Sequence, residues 1–174
     1  MPSIDPAIER STRDMLGRAN RGELEELATL VHSAGSEQYR RVLGMCLAAA
    51  AYIAVDVSGH WPTDDEVREI ARFVEEQEVE LPLDRADVYQ YLSDAALGFQ
   101  PLPEALNGDV TDATMPVLIT ASMLSAFCPQ DQGWETYLDQ IWSAYETAQN
   151  IELSVLPALQ VRTQMKKASS AQHT

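Results

Sequence analysis

Residues 42–55 read VLGMCLAAAAYIAV, with no charged side chain in the run. A helix over this stretch has no polar face, and a helix that is apolar on every side belongs at the centre of a bundle. Its small residues, Gly44 and Ala48 to Ala51, would let neighbouring backbones come close. At 14 residues the run is shorter than the roughly 20 needed to cross a bilayer, so it predicts a buried core helix spanning about 36–57. A second apolar segment, VLITASMLSAF from Val117, predicts another such helix over roughly 114–127, with Pro116 in its first turn.

Amphipathic helices are predicted around these two. Asp5-Pro6 starts the first, with Ile8, Thr12, Met15 and Leu16 on one side. Asn20 and Glu23 have the spacing of a capping box for the second, striped by Leu24, Leu27, Ala28 and Val31. Ser36 reads as the N-cap of the third helix and Gly59 as its stop. Thr63 and Glu66 form a further capping box, followed by Val67, Ile70, Ala71 and Val74 facing inward. Asp84 caps the next helix, with Val88, Tyr91, Leu92 and Ala95 inward and Gly98 after it. FQPLPEALNGD reads as a loop between two halves, and Pro157 as a helix break. The expected fold is all-α, a bundle of six to seven helices in one domain over 1–163, with a disordered tail at 164–174.

Charge is unevenly spread over the chain, whose formal total is −15. Residues 1–55 are near neutral. Residues 56–87 carry eleven acids and three Arg, and 88–161 carry nine acids and no Lys or Arg. The last thirteen residues hold Arg162, Lys166 and Lys167 with no acid. So acidic a chain repels phosphate backbones and anionic lipid, which argues against nucleic-acid and membrane binding. It favours a basic protein partner or a divalent cation. MPSIDPAIER is not a signal peptide, and Cys46 and Cys128, each inside an apolar run, read as buried thiols in a reducing compartment. The expected location is cytoplasmic.

The two apolar segments echo one another. Val42-Leu43 aligns with Val117-Leu118, Ala51-Tyr52 with Ala126-Phe127, and Asp56 with Asp131. A Gly and a Trp follow each Asp, Gly59 and Trp61 in one case and Gly133 and Trp134 in the other. Farther on, Val79-Glu80-Leu81 echoes Ile151-Glu152-Leu153. This suggests an internal repeat, 42–81 against 117–153, packed as two pseudo-symmetric halves around the central apolar helices.

The apolar helix, then Asp56, Gly59 and an acidic helix start at Asp65 and Glu66, resembles the TerB-like helical domains linked to tellurite resistance and stress response. The resemblance covers about residues 40–153. It departs from that pattern where Val57 rather than Gly follows Asp56, and where the gap to Glu66 is longer. It implies an all-α protein with an acidic, cation-binding surface that works through partners.

Three candidate sites follow. Asp56, Asp65 and Glu66, with Asp131 and Glu135 as counterparts, are oxygen ligands suited to Ca²⁺ or Mg²⁺. The opposing reading is that the acids at 64–66 complement a helix dipole. Second, Glu66-x-x-Glu69 and Asp84-x-x-Asp87 approximate the paired elements of Mg²⁺-dependent all-α nucleotide pyrophosphohydrolases, with Arg68, Arg72 and Arg85 as the nearby cations. Third, Trp134, Tyr137, Trp142 and Tyr145 form an aromatic set fit for a partner interface or homodimer face, or else for core packing. The favoured function is non-enzymatic: protein–protein interaction through an acidic surface. Alternatives are the hydrolase and a DNA mimic whose carboxylates imitate phosphates.

Overall fold

The Asp5 carboxylate accepts a hydrogen bond from the Ala7 N–H at 2.9 Å, and Pro6 occupies a position where its missing N–H costs nothing. Helix α1 therefore starts where the sequence predicts, runs Pro6–Asn20, and buries Ile8, Thr12, Met15 and Leu16. The structure is a computed structural model and describes residues 4–78, 83–97 and 110–150. The helices after α1 are α2 (Leu24–Ser33), α3 (Ser36–Ser58), α4 (Asp64–Gln77), α5 (Arg85–Leu97), α6 (Val110–Phe127) and α7 (Trp134–Asn150). The described residues contain no strand, so the chain is the all-α bundle expected. Gly98, the FQPLPEALNGD loop, Pro157 and the tail lie outside the described residues.

Most helix ends follow local chemistry. The Thr63–Glu66 capping box forms, with Thr63 N–H donating to Glu66 at 2.8 Å and Glu66 N–H donating to Thr63 at 3.3 Å. Gly59 ends α3 in the left-handed region at φ 73°, where a side chain would be strained. Three expectations need correction. Asn20 does not cap α2, because α1 runs through it. Glu23 takes the cap position, its carboxylate held instead by Arg18 and Arg21 at 3.2 and 2.9 Å. Gly35 rather than Ser36 caps α3. Helix α6 begins at Val110, so Pro116 lies inside it rather than in its first turn.

Helices α3 and α6 form the middle. The first packs against α1, α4, α5, α6 and α7, and the second against α1, α2, α3, α4 and α7. Every residue from Pro116 to Leu124 is buried, more than two full turns with no face left to solvent. In α3 the same holds for Ala48 to Ala51, Ile53 and Ala54. By length and composition the whole of Ser36–Ser58 would suit a membrane span, which its 14-residue apolar core does not suggest. Here that helix is wrapped by its neighbours. Gly44 corrects a further expectation: a Cβ built there meets nothing within 4 Å, so this glycine serves no close approach.

Several polar groups inside the core are paired across helices, while the Ser122 hydroxyl and the Trp142 indole N–H are buried without a hydrogen-bond partner among the described residues. Thr120 donates to the Pro116 carbonyl at 2.8 Å, which leaves the Tyr91 hydroxyl, 2.9 Å away, to donate to Thr120. Tyr39 donates to the Ala113 carbonyl, and Tyr145 to the Ala48 carbonyl at 2.8 Å. These bonds join α5 to α6, α3 to α6 and α7 to α3. Burial pushes the Tyr91 hydroxyl far above its ordinary range and raises the Cys46 thiol to about 12. Cys46 is buried as expected, whereas Cys128 is only half-buried.

Two predictions separate space from burial. Gly44→Ala removes a flexible residue from mid-helix with open space around it, and should raise stability by about 0.5–1 kcal/mol. Ala50→Leu, at a position with no exposure, should lower it by about 1–3 kcal/mol through overpacking. Urea titration measures both. Thr120→Val should cost about 1–3 kcal/mol by leaving Tyr91 without an acceptor, and adding Tyr91→Phe should recover part of that loss.

Candidate functional site

Asp56, Asp65 and Glu66 are not gathered into a cation site, and neither they nor their counterparts Asp131 and Glu135 join a group of three ligands among the described residues. Asp56 lies in the last turn of α3 and accepts a hydrogen bond from the Tyr137 hydroxyl at 2.6 Å. Glu66 is engaged by the Thr63 N–H, and its other oxygen lies 3.0 Å from His60 Nε2. Asp65 is exposed in the first turn of α4, where a carboxylate complements the helix dipole. Asp131 is exposed in the turn after α6, and Glu135 in the first turn of α7. Among the described residues no three His, Cys, Asp or Glu side chains are grouped to hold a metal ion. A tyrosine and a helix start engage Asp56 and Glu66, while Asp65, Asp131 and Glu135 stay exposed.

Of the two readings of the aromatic set, core packing describes three of its members. Tyr137, Trp142 and Tyr145 are buried in the core, and only Trp134 is half-buried. Burial first, and then the Asp56 carboxylate, push the Tyr137 hydroxyl well above its ordinary range. The residues matched in the echo sit differently: Asp56 is helical and Asp131 is in a turn, while Trp61 is buried and Trp134 half-buried.

What the fold does bring together is a groove of 610 Å³ between α4 and α5. It is lined by Arg68, Glu69, Arg72, Glu75, Asp84, Arg85, Ala86 and Tyr89. Arg68 and Arg72 are one turn apart on α4 and so share a face. Arg85 reaches across from α5 to Glu75 at 2.6 Å. The Arg68 guanidinium lies over the Tyr89 ring, 4.3 Å from its centre. Asp64 completes this unit, accepting from Arg68 at 3.0 Å and from the Tyr89 hydroxyl. Tyr89 first, then Arg68, hold the Asp64 carboxyl below the usual carboxylate range. Arg72 pairs with Glu69 at 2.5 Å.

Of the two paired-carboxylate elements, Glu69 and Asp84 reach this groove, while Glu66 turns back to its own helix start. Asp84 is also a cap, accepting from the Ala86 N–H at 2.7 Å. The sequence names the three arginines as neighbours, and the i,i+4 spacing of two of them is the signal for a shared face. That Arg85 meets them depends on how α5 folds back on α4.

The Thr63 N–H first, with His60 beyond it, holds the Glu66 carboxyl low as well. Asp64 and Glu66 thus bind protons more weakly in the folded chain than in the unfolded one. Their contribution is present above the ordinary carboxylate pKa and is lost as pH falls through the depressed folded values. Amide exchange should show the first turn of α4 opening between neutral pH and about pH 3, and Asp64→Asn should open it at neutral pH. Set against known proteins, the chain matches no family, and it shows no significant similarity to a curated protein or a solved structure.

Proposed function

We propose that this chain is a cytoplasmic, non-enzymatic interaction protein whose acidic surface takes a basic protein partner. The supporting observation is the arrangement of acids on the outer helices and in the turn before α7. Asp65, Glu76, Asp87, Asp131, Glu135 and Glu146 are exposed, and none has an ion-pair partner among the described residues. Exposed acids held in no ion pair leave a negative surface potential, which speeds encounter with a basic surface and selects against acidic ones.

The competing readings have less behind them. A Mg²⁺-dependent hydrolase calls for carboxylates that converge, and the described ones do not. A homodimer built on the aromatic helix loses its anchors, since three of the four are in the core. The TerB-like resemblance agrees with an acidic surface acting through partners, and adds no residue to it.

A lysine-rich peptide titrated into the protein tests the reading. Binding should be measurable at low salt and fall as salt rises, since exposed charges are screened beyond about 10 Å at 0.1 M. Reversing Asp65, Glu76 and Asp87 to Lys should weaken it by ~10-fold, while reversing Glu25 and Glu26 on α2, which lie in the near-neutral segment 1–55, should change it little. Equal loss from both sets, or no binding at low salt, would refute the assignment.

A further inference from the structure

The groove between α4 and α5 gathers the cationic side chains that the surface around it lacks. Between residues 56 and 161 the chain contains three cationic side chains, Arg68, Arg72 and Arg85, and all three line this groove. We infer that the groove is a binding site for a compact polyanion, a small molecule carrying a di- or triphosphate chain. This reading is independent of the acidic-surface interaction.

The donors are available and already aimed. Each guanidinium has five N–H donors. Arg68 uses two of them, on Asp64 and Tyr89, and Arg72 and Arg85 use one each, on Glu69 and Glu75. The remaining N–H groups have no partner among the described residues, so a ligand can be held without breaking the existing pairs. Those pairs instead fix the guanidinium planes, as does the stacking of Arg68 on Tyr89. Ordering the donors beforehand lowers the entropy lost on binding. The three side chains are 59, 51 and 54 % exposed, so the ligand has access.

Charge balance sets the ligand class. Glu69, Glu75 and Asp84 line the groove and Asp64 pairs with Arg68, four carboxylates to three arginines, so attraction comes from the unused guanidinium N–H groups at close range and an anion that meets only one of them gains little. A phosphate chain spans several guanidiniums at once, each able to grip oxygen in a bidentate manner. The groove volume of 610 Å³ falls in the range of small-molecule sites, about 300–1,000 Å³. A long polyanion such as nucleic acid would have to run out over Asp65, Glu76 and Asp87 and be repelled there.

Calorimetry of the full chain with sodium tripolyphosphate tests the inference. One site per chain is expected, at least ten times tighter than for orthophosphate. Arg72→Gln or Arg85→Gln should weaken it tenfold or more, and Arg40→Gln, outside the groove, should not. Unsubstituted protein provides a check free of folding effects: tripolyphosphate should protect Arg72 and Arg85, but not Arg40, from phenylglyoxal as read by mass spectrometry. No binding at millimolar tripolyphosphate, equal loss in the Arg40 variant, uniform protection, or equally tight binding of a single-stranded oligonucleotide would each overturn it.

Discussion

Helices α3 and α6 have no side that tolerates water over their central turns, and the other five helices are placed by the need to cover them. Ala48 to Ala51 on one and Pro116 to Leu124 on the other are buried throughout. Fully burying a Leu or Ile side chain is favourable by about 1.5–3 kcal/mol, and the ordering of the chain opposes most of that gain. The margin that remains depends on both helices being wrapped at once. Covering only one face of α6 would leave the rest of its apolar surface wet.

Burying whole helices makes their few polar groups matter more. Thr120, Tyr91, Tyr39 and Tyr145 each place a hydroxyl in the interior and each finds a partner on a neighbouring helix or on the same turn. Such bonds are directional in a way that Ala and Leu contacts are not. They fix which turn of α5, α6 or α7 lies opposite which turn of its neighbour. Tyr137 extends this to the rim, tying α7 to the end of α3 through Asp56. The tyrosines thus supply register to a core whose small, smooth side chains supply little.

Much of the architecture was legible beforehand. The charge-free run at 42–55 marked the central helix, and the stripes at Ile8, Thr12, Met15 and Leu16 and at Val67, Ile70, Ala71 and Val74 marked the faces that cover the core. The Thr63–Glu66 box was readable because its chemistry is local. Asn20 and Glu23 show the limit of that approach: the same spacing was present, but α1 kept Asn20 and two arginines took Glu23. Candidate sites were harder still. Asp56 looked free until α7 brought Tyr137 to it. Trp142 and Tyr145 could be read as interface anchors or as core, because helical spacing marks a face without saying whether protein or solvent lies beyond. The arginines of the α4–α5 groove were visible singly, and their convergence is a product of tertiary packing.

The two cysteines have unlike surroundings, and that difference has a practical use. Cys46 has no exposure, and its thiol stays protonated at neutral pH, whereas Cys128 is half-buried near the end of α6. Thiolate is the reactive form, so a maleimide added to the native chain meets one sulfur, and the second becomes reachable only when the bundle comes apart. The molecule therefore carries its own gauge of global opening, read by counting labels, without any engineered probe.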